Sequence, residues 1–221
     1  MQPEPSILQD INLLKKYDIQ VFDYIEYPHK SFWQYGLTDH DFRRALSSIF
    51  KDDPIRGITV YLHIPFCEQL CYFCLCHRQI TSHYQPIQNY LDRALLPEID
   101  LFGTFFEEHG LRPNVKQIFM GGGSPTIVNQ ADFDRILAQL GRWIDLAQLD
   151  HFYFEIDPRR VTPDQLRFYH SRGVTTLSFG IQDFDPAVQE AINRVQPYEM
   201  VANLLSDDIH ALFDSINFDL Q

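Results

Sequence analysis

All four cysteines of the 221-residue chain fall within ten positions, Cys67, Cys71, Cys74 and Cys76, in the stretch YLHIPFCEQLCYFCLCHRQ at 61–79. The spacing is C-x3-C-x2-C followed by one residue and the last thiol. Thiolates are nucleophiles and soft metal ligands. A zinc site commonly takes two short-spaced pairs separated by a long spacer. Closing all four of these neighbouring thiols around one tetrahedral ion would strain the chain. Three thiols in three-then-two spacing suit three corners of a [4Fe–4S] cube, with the fourth iron left open for a small molecule. A fully ligated cluster mostly passes electrons instead. Zinc binding and a redox disulfide are the competing readings.

Other residues able to do chemistry fall at the ends of β-rich runs. GGGSPT (121–126) lacks side chains where a ligand would need the backbone. Glu155 and Asp157 follow one run, Gln182 and Asp183 another, and Asp219 lies on a last one. Asp157 stands before Pro158, where it also reads as a simple turn cap. His63 lies two residues after Tyr61, so the two share one face of a strand. It reads equally as a catalytic group or a hydrogen-bonded core histidine. For Cys76 the plain alternative is a small side chain packed under the cluster.

These groups need a scaffold that brings run ends together. The runs are ITVYLHIP (58–65), VKQIFMGGG (115–123), HFYFEIDP (151–158), TTLSFGIQ (175–182) and INFDLQ (216–221). Between them the period becomes helical, with Phe133, Ile136, Leu137, Leu140 and Ile144 on one face after Asn129 as N-cap. TPDQ (162–165) is a capping box that Gly173 would close, and DPAVQ (185–189) starts another helix. Segment 86–108 is helical through Ile87, Leu91, Leu95 and Ile99, with a kink or early break expected at Pro97. Strands alternating with helices predict an α/β fold with parallel pairing. All the run ends then meet on one rim, where barrel chemistry is built. A closed barrel needs about 250 residues. The expectation is therefore a partial parallel (β/α) barrel over 58–221, cut short after about the fifth strand. Residues 1–57, with a helix at 39–50, form an N-terminal extension.

A net charge of −12, from 18 Lys+Arg and 30 Asp+Glu, argues against nucleic acid or an anionic membrane as main partner. No stretch approaches a membrane span, and the N-terminus lacks the order of a signal peptide. These features predict a cytoplasmic protein, where clustered thiols bind metal or do redox work.

With these residues in place, YLHIPFCEQLCYFC and MGGGSPT resemble the radical S-adenosylmethionine enzymes. Within them, the C-x3-C-x2-C-x-C spacing, EIDPRR, LSFGIQDF and VQEAINRVQ resemble, in order, the oxygen-independent coproporphyrinogen III oxidase family. The resemblance implies that Cys67, Cys71 and Cys74 hold a [4Fe–4S] cluster and that S-adenosylmethionine binds its open iron. Reductive cleavage to a 5′-deoxyadenosyl radical would follow, and then oxidative decarboxylation of substrate propionates to vinyl groups. It places Tyr61, Phe73, Gly122, Gly123, Ser124, Glu155, Gln182, Arg194 and Asp219 at cofactor-contacting positions. Cys76 and His63 become the catalytic candidates, Cys76 functional without being an iron ligand. The implied partners are a porphyrinogen substrate and a low-potential electron donor, with no nucleic acid or membrane, and the chain acting as a monomer. The family's PRYTSYP-like segment aligns with VFDYIEYP (21–28), which keeps Tyr24, Tyr27 and Pro28 but replaces an arginine with Asp23. A carboxylate there is unfavourable to a substrate carrying propionates. Alone, the chain is expected to be weak or inactive. Two alternatives are a haem-trafficking relative, which carries C-x-F where this chain has CLC, and a non-catalytic iron–sulfur module.

Overall fold

A computed structural model describes Lys15, Phe32, residues 34–53 and residues 55–220. The segment with Asp23, Tyr24, Tyr27 and Pro28 lies outside these. The chain divides into two units, Met1–Ala45 and Leu46–Gln221. In the first, Thr38 and Asp41 exchange capping bonds, Thr38 N–H to Asp41 Oδ2 at 3.1 Å and Asp41 N–H to Thr38 Oγ1 at 3.2 Å. They open helix α1, Asp39–Asp52.

The second unit is built on five parallel strands: β1 (Gly57–Ile64), β4 (Asn114–Gly122), β5 (His151–Ile156), β6 (Thr176–Gln182) and β7 (Ser215–Leu220). Their order is β1-β4-β5-β6-β7, each beside its predecessor in the chain. An order that never reverses is that of a barrel arc, unlike a doubly wound sheet with its switch point. Each of the five predicted runs is a strand to within about two residues.

Alternation along the strands sorts the two faces. Leu62, Ile64, Ile118, Met120, Phe152, Phe154, Ile156, Leu177, Phe179 and Ile181 are buried in one core. The intervening positions, among them Tyr61, His63, Phe119, Tyr153, Glu155, Ser178 and Asp219, carry rings and polar groups on the other face. That pattern commits one face to helices and frees the other for a site.

The helices begin where local chemistry dictates. Asn129 accepts from Asp132 N–H at 2.8 Å and caps α4, Gln130–Leu140. Phe133 of α4 packs edge-on against Phe154, 5.6 Å between centroids. Thr162 and Gln165 form the full capping box of α5, Pro163–Ser171. Gly173, at φ +89°, ends it in a Schellman motif, with Gly173 N–H on His170 C=O and Val174 N–H on Tyr169 C=O. Asp185 caps α6, Pro186–Ala191. Two further short helices, α7 (Tyr198–Leu204) and α8 (Asp207–His210), lead into β7.

At Pro97 the early break does not occur. The chain stays helical through α2 (Gln85–Tyr90), a π-turn at Leu91–Leu95 and α3 (Leu96–Glu108). Proline clashes with the carbonyl four residues back and cannot donate to it. A wider π-turn directly ahead absorbs that defect without ending the helix.

Candidate metal and cofactor site

The cysteine loop leaves the sheet at the carboxyl end of β1 and is closed by a pairing that no local pattern announces. The short strand β2, Phe66–Cys67, runs parallel to β3, Gln79–Ile80. Thr81 N–H donates to Cys67 C=O at 2.9 Å, and Cys74 N–H to Cys71 C=O at 3.1 Å. The glycine run at the end of β4 is bonded to the end of β1 and to β2. Gly123 N–H reaches Ile64 C=O and Ser124 N–H reaches Phe66 C=O, both at 2.8 Å. A Cβ on Gly123 would stand 2.6 Å from Phe66 O, and one on Gly122, at φ +114°, would stand 2.6 Å from the His63 ring. Glycine is required here by contact as well as by conformation.

Cys71 is buried, Cys67 and Cys74 are half-buried, and Cys76 is exposed. Burial, followed by the neighbouring Cys74 thiol, pushes Cys67 up to about 11. Burial and then Cys74 also raise Cys76. Low dielectric and crowded sulfur both disfavour thiolate, so a bound cation must displace protons to form.

A cavity of about 210 Å³ opens at the carboxyl rim. It gathers Cys67, Cys71, Phe73, Cys74, Cys76, Gly122, Gly123, Glu155, Gln182, Arg194 and Asp219 on its walls. Gly122 N–H donates to Glu155 Oε2 at 3.0 Å. Burial raises the Glu155 carboxyl, the Gly122 bond lowers it and the Asp219 charge raises it, with a net upward shift. Asp219 accepts from Ser178 Oγ at 3.0 Å and from Asn217 Nδ2 at 2.8 Å. Gln182 sits at φ +68°, in the left-handed region that few side chains adopt, where β6 meets the cavity.

Three of the residues singled out by sequence stand beside this cavity and not on its lining. Ser124 is buried, within 3.0 Å of Thr126 Oγ1, and lines an adjoining polar cavity of about 340 Å³. Tyr61 and His63 also contribute to a third, mostly apolar cavity beside β1, and the His63 ring lies against Gly122. Both ring nitrogens of His63 are engaged, Nδ1 with Tyr61 OH and Nε2 with His77 C=O, each at 3.0 Å. A carbonyl can only accept, so Nε2 carries the proton and Nδ1 accepts from the tyrosine. The pair thereby ties the end of the cysteine loop to β1.

The structure joins Asp157 and Arg194 to Arg159, Asn193, Gln189 and Gln196, which the sequence reading did not single out. Asp157 caps its turn, accepting from Arg159 N–H at 3.1 Å, but it also pairs with the Arg159 guanidinium at 2.7 and 2.9 Å. Arg159 Nη2 lies 3.8 Å from Cys71 Sγ. Arg194 Nη1 lies 3.4 Å from the same sulfur, while its Nη2 donates to Gly180 C=O at 2.6 Å. Asn193, at φ +56°, donates to Leu70 C=O at 2.7 Å and accepts from Gln69 Nε2 at 2.8 Å. Behind it, Gln189 and the fully buried Gln196 bond each other and hold Arg194. The sequence signal for Arg159, Gln189, Asn193 and Gln196 is that they lie within the EIDPRR and VQEAINRVQ stretches.

The donor set fits a multi-atom cluster. Among the described residues, no three His, Cys, Asp or Glu side chains close on one point as a single ion requires. The three thiols line one cavity wall, as separate corners of a larger group would ask. Arg159 Nη1 is buried with no hydrogen-bond partner, a charged donor left over for an anionic group.

Residues 61–207 match the family model described as the radical SAM superfamily, and the chain belongs to that superfamily. It is similar to the oxygen-independent coproporphyrinogen III oxidase of Salmonella typhimurium, 33% identical over 217 residues, which covers 98% of this chain and 46% of that protein. The namesake in Bradyrhizobium diazoefficiens is 39% identical over 162 residues, 73% of this chain and 35% of that one. Among solved structures, the radical SAM enzyme coproporphyrinogen III oxidase (HemN) from Escherichia coli superposes with a TM-score of 0.79 at 32% identity. That match covers 94% of this chain and 44% of the other. The chain thus spans about half the length of the curated relatives it matches. No described helix is long and apolar enough to cross a membrane.

Proposed function

We propose that this chain carries the cluster- and S-adenosylmethionine-binding part of an oxygen-independent coproporphyrinogen III oxidase, acting in haem biosynthesis. The observation that carries the reading is the single cavity wall shared by Cys67, Cys71 and Cys74 with Gly122, Gly123 and Glu155. When bound, a [4Fe–4S] cluster with S-adenosylmethionine would supply one-electron cleavage of a carbon–sulfur bond and a radical able to remove a hydrogen atom from a substrate propionate; that side chain would then lose carbon dioxide and one electron, to a one-electron acceptor, and a vinyl group would remain. In this reading the three thiolates hold the cluster and Cys76 is free of iron. Gly122 and Gly123 offer close access to backbone donors and acceptors. Glu155 accepts from hydroxyl or ammonium groups, and Arg194 offers a guanidinium to a carboxylate. The polar row of Ser178, Asn217 and Asp219 orients a ligand by hydrogen bonds. The relatives' names supply the porphyrinogen substrate. A low-potential one-electron donor is the required partner, and the chain works as a monomer in the cytoplasm.

The test is anaerobic reconstitution of the purified chain with iron and sulfide. About four of each per chain, as a cubane cluster demands, and spectra perturbed by S-adenosylmethionine are the expected results. Formation of 5′-deoxyadenosine on addition of coproporphyrinogen but not of other porphyrinogens would identify the substrate. Two irons or fewer, or spectra indifferent to S-adenosylmethionine, would overturn the proposal.

A further inference from the structure

Asp157, which reads from the sequence as either a rim carboxylate or a turn cap, and Arg159 have side chains only 11% exposed each. They stand together beside the most buried of the three metal-ligating thiols. Three observations converge on Arg159. Its Nη2 lies 3.8 Å from Cys71 Sγ. Its Nε and Nη2 are held by Asp157, which fixes the plane of the guanidinium. Its Nη1 is buried without a partner. A buried donor left unsatisfied is costly unless something anionic is meant to meet it.

Arg194 also touches Cys71, but its charge is shared. Its Nε and Nη2 serve Gly180 C=O and Gln196, and Asp157 Oδ1 lies 3.6 Å from Nη2. Two guanidiniums therefore meet this sulfur, both within reach of the Asp157 carboxylate, and Arg159 holds the donor without a partner.

We infer that Arg159 sets the reduction potential of the cluster held by Cys67, Cys71 and Cys74, with Asp157 as its counterweight. This rests on the cluster reading proposed above. Reduction adds one electron, taken from a low-potential one-electron donor, to a group already made negative by three thiolates. A fixed cation in a low-dielectric wall favours the added charge, and a fixed anion opposes it. Arg159 thus raises the potential and Asp157 trims that rise. The pair gives the site a setting that its ligands alone do not provide.

The two residues must act with opposite sign, which a purely structural pair would not do. Wild type, Arg159→Met, Arg159→Lys and Asp157→Asn are reconstituted as whole chains. Iron content is measured, and the reduced cluster is titrated by electron paramagnetic resonance against solution potential. At the wild-type midpoint, Arg159→Met should lower the ratio of reduced to oxidised cluster by about tenfold. Arg159→Lys, which keeps the charge, should recover most of it. Asp157→Asn should raise the ratio by a similar factor. Shifts of the same sign in the Met and Asn variants, or no shift in either, overturn the inference. If Arg159→Met loses iron, the Asn variant decides alone, and an unchanged or lowered ratio there overturns it. A wild-type chain that takes up no cluster removes both this inference and the reading beneath it. A normal wild-type cluster with unresponsive variants removes only this one.

Discussion

Cys76 lines the same cavity as the three other thiols yet is the exposed one of the four. The roles are separable by iron binding. Alanine at Cys67, Cys71 or Cys74 should abolish the four-iron absorbance and leave about two irons or fewer, because two thiolates cannot hold three corners of a cube. Cys76→Ala should keep nearly the full iron complement. Iron loss from the Cys76 variant equal to that from the others would assign four ligands. The thiols were legible because their spacing is short and their chemistry narrow. Arg159 was not, since its partner Cys71 is 88 residues away and nothing local distinguishes this arginine from Arg160 beside it. Ser124 was singled out by its motif, but the contact of its hydroxyl with Thr126 in the neighbouring cavity was not legible.

At the level of elements, the entry to α4 is tied to the segment leading into α2. Tyr84 OH donates to Asp132 Oδ2 at 2.6 Å, and Arg135 and Asn129 bond the same carboxylate. Burial works to raise the Asp132 carboxyl, but the bonds from Tyr84, Arg135 and Asn129 outweigh it and hold it below its ordinary value. A depressed carboxylate stabilises the fold above the unfolded value of about 3.9 and loses that contribution as pH falls through the lower folded value. Tyr84→Phe should therefore cost about 1–3 kcal/mol near neutral pH. The cost should fade below about pH 4, when urea unfolding of the two proteins is compared across pH. A penalty that stays constant down to pH 2 would mean the tyrosine acts by packing instead. The cap itself was legible, since Asn129 and Asp132 are three residues apart. Tyr84 was not, and neither was the π-turn before Pro97. Both depend on what the helix packs against, which a local pattern does not contain.

Across the whole molecule, the rim is held by bonds between distant parts of the chain. Tyr72 N–H donates to Ile192 C=O at 3.0 Å, and Asn193 bonds Gln69 and Leu70. The loop after α6 is thus a strut for the cysteine loop 123 residues away. Asn193→Ala should speed loss of iron to a chelator severalfold while changing the midpoint of thermal unfolding by a few degrees at most. Asparagine is also favoured at its φ of +56°, so Asn193→Gly, which keeps the backbone and drops the bonds, should behave alike. Unchanged iron retention in both would show that the strut is dispensable. By itself the sequence determined the five parallel strands, the helix caps and the clustering of the thiols in one loop, because periodicity, capping and residue spacing act over a few neighbouring residues. Only the tertiary structure decided that β2 pairs with β3, that His63 braces the loop, and that Arg159 and Arg194, both paired with Asp157, meet at Cys71. Those contacts join positions far apart along the chain, and no local preference encodes which distant side chain will be waiting.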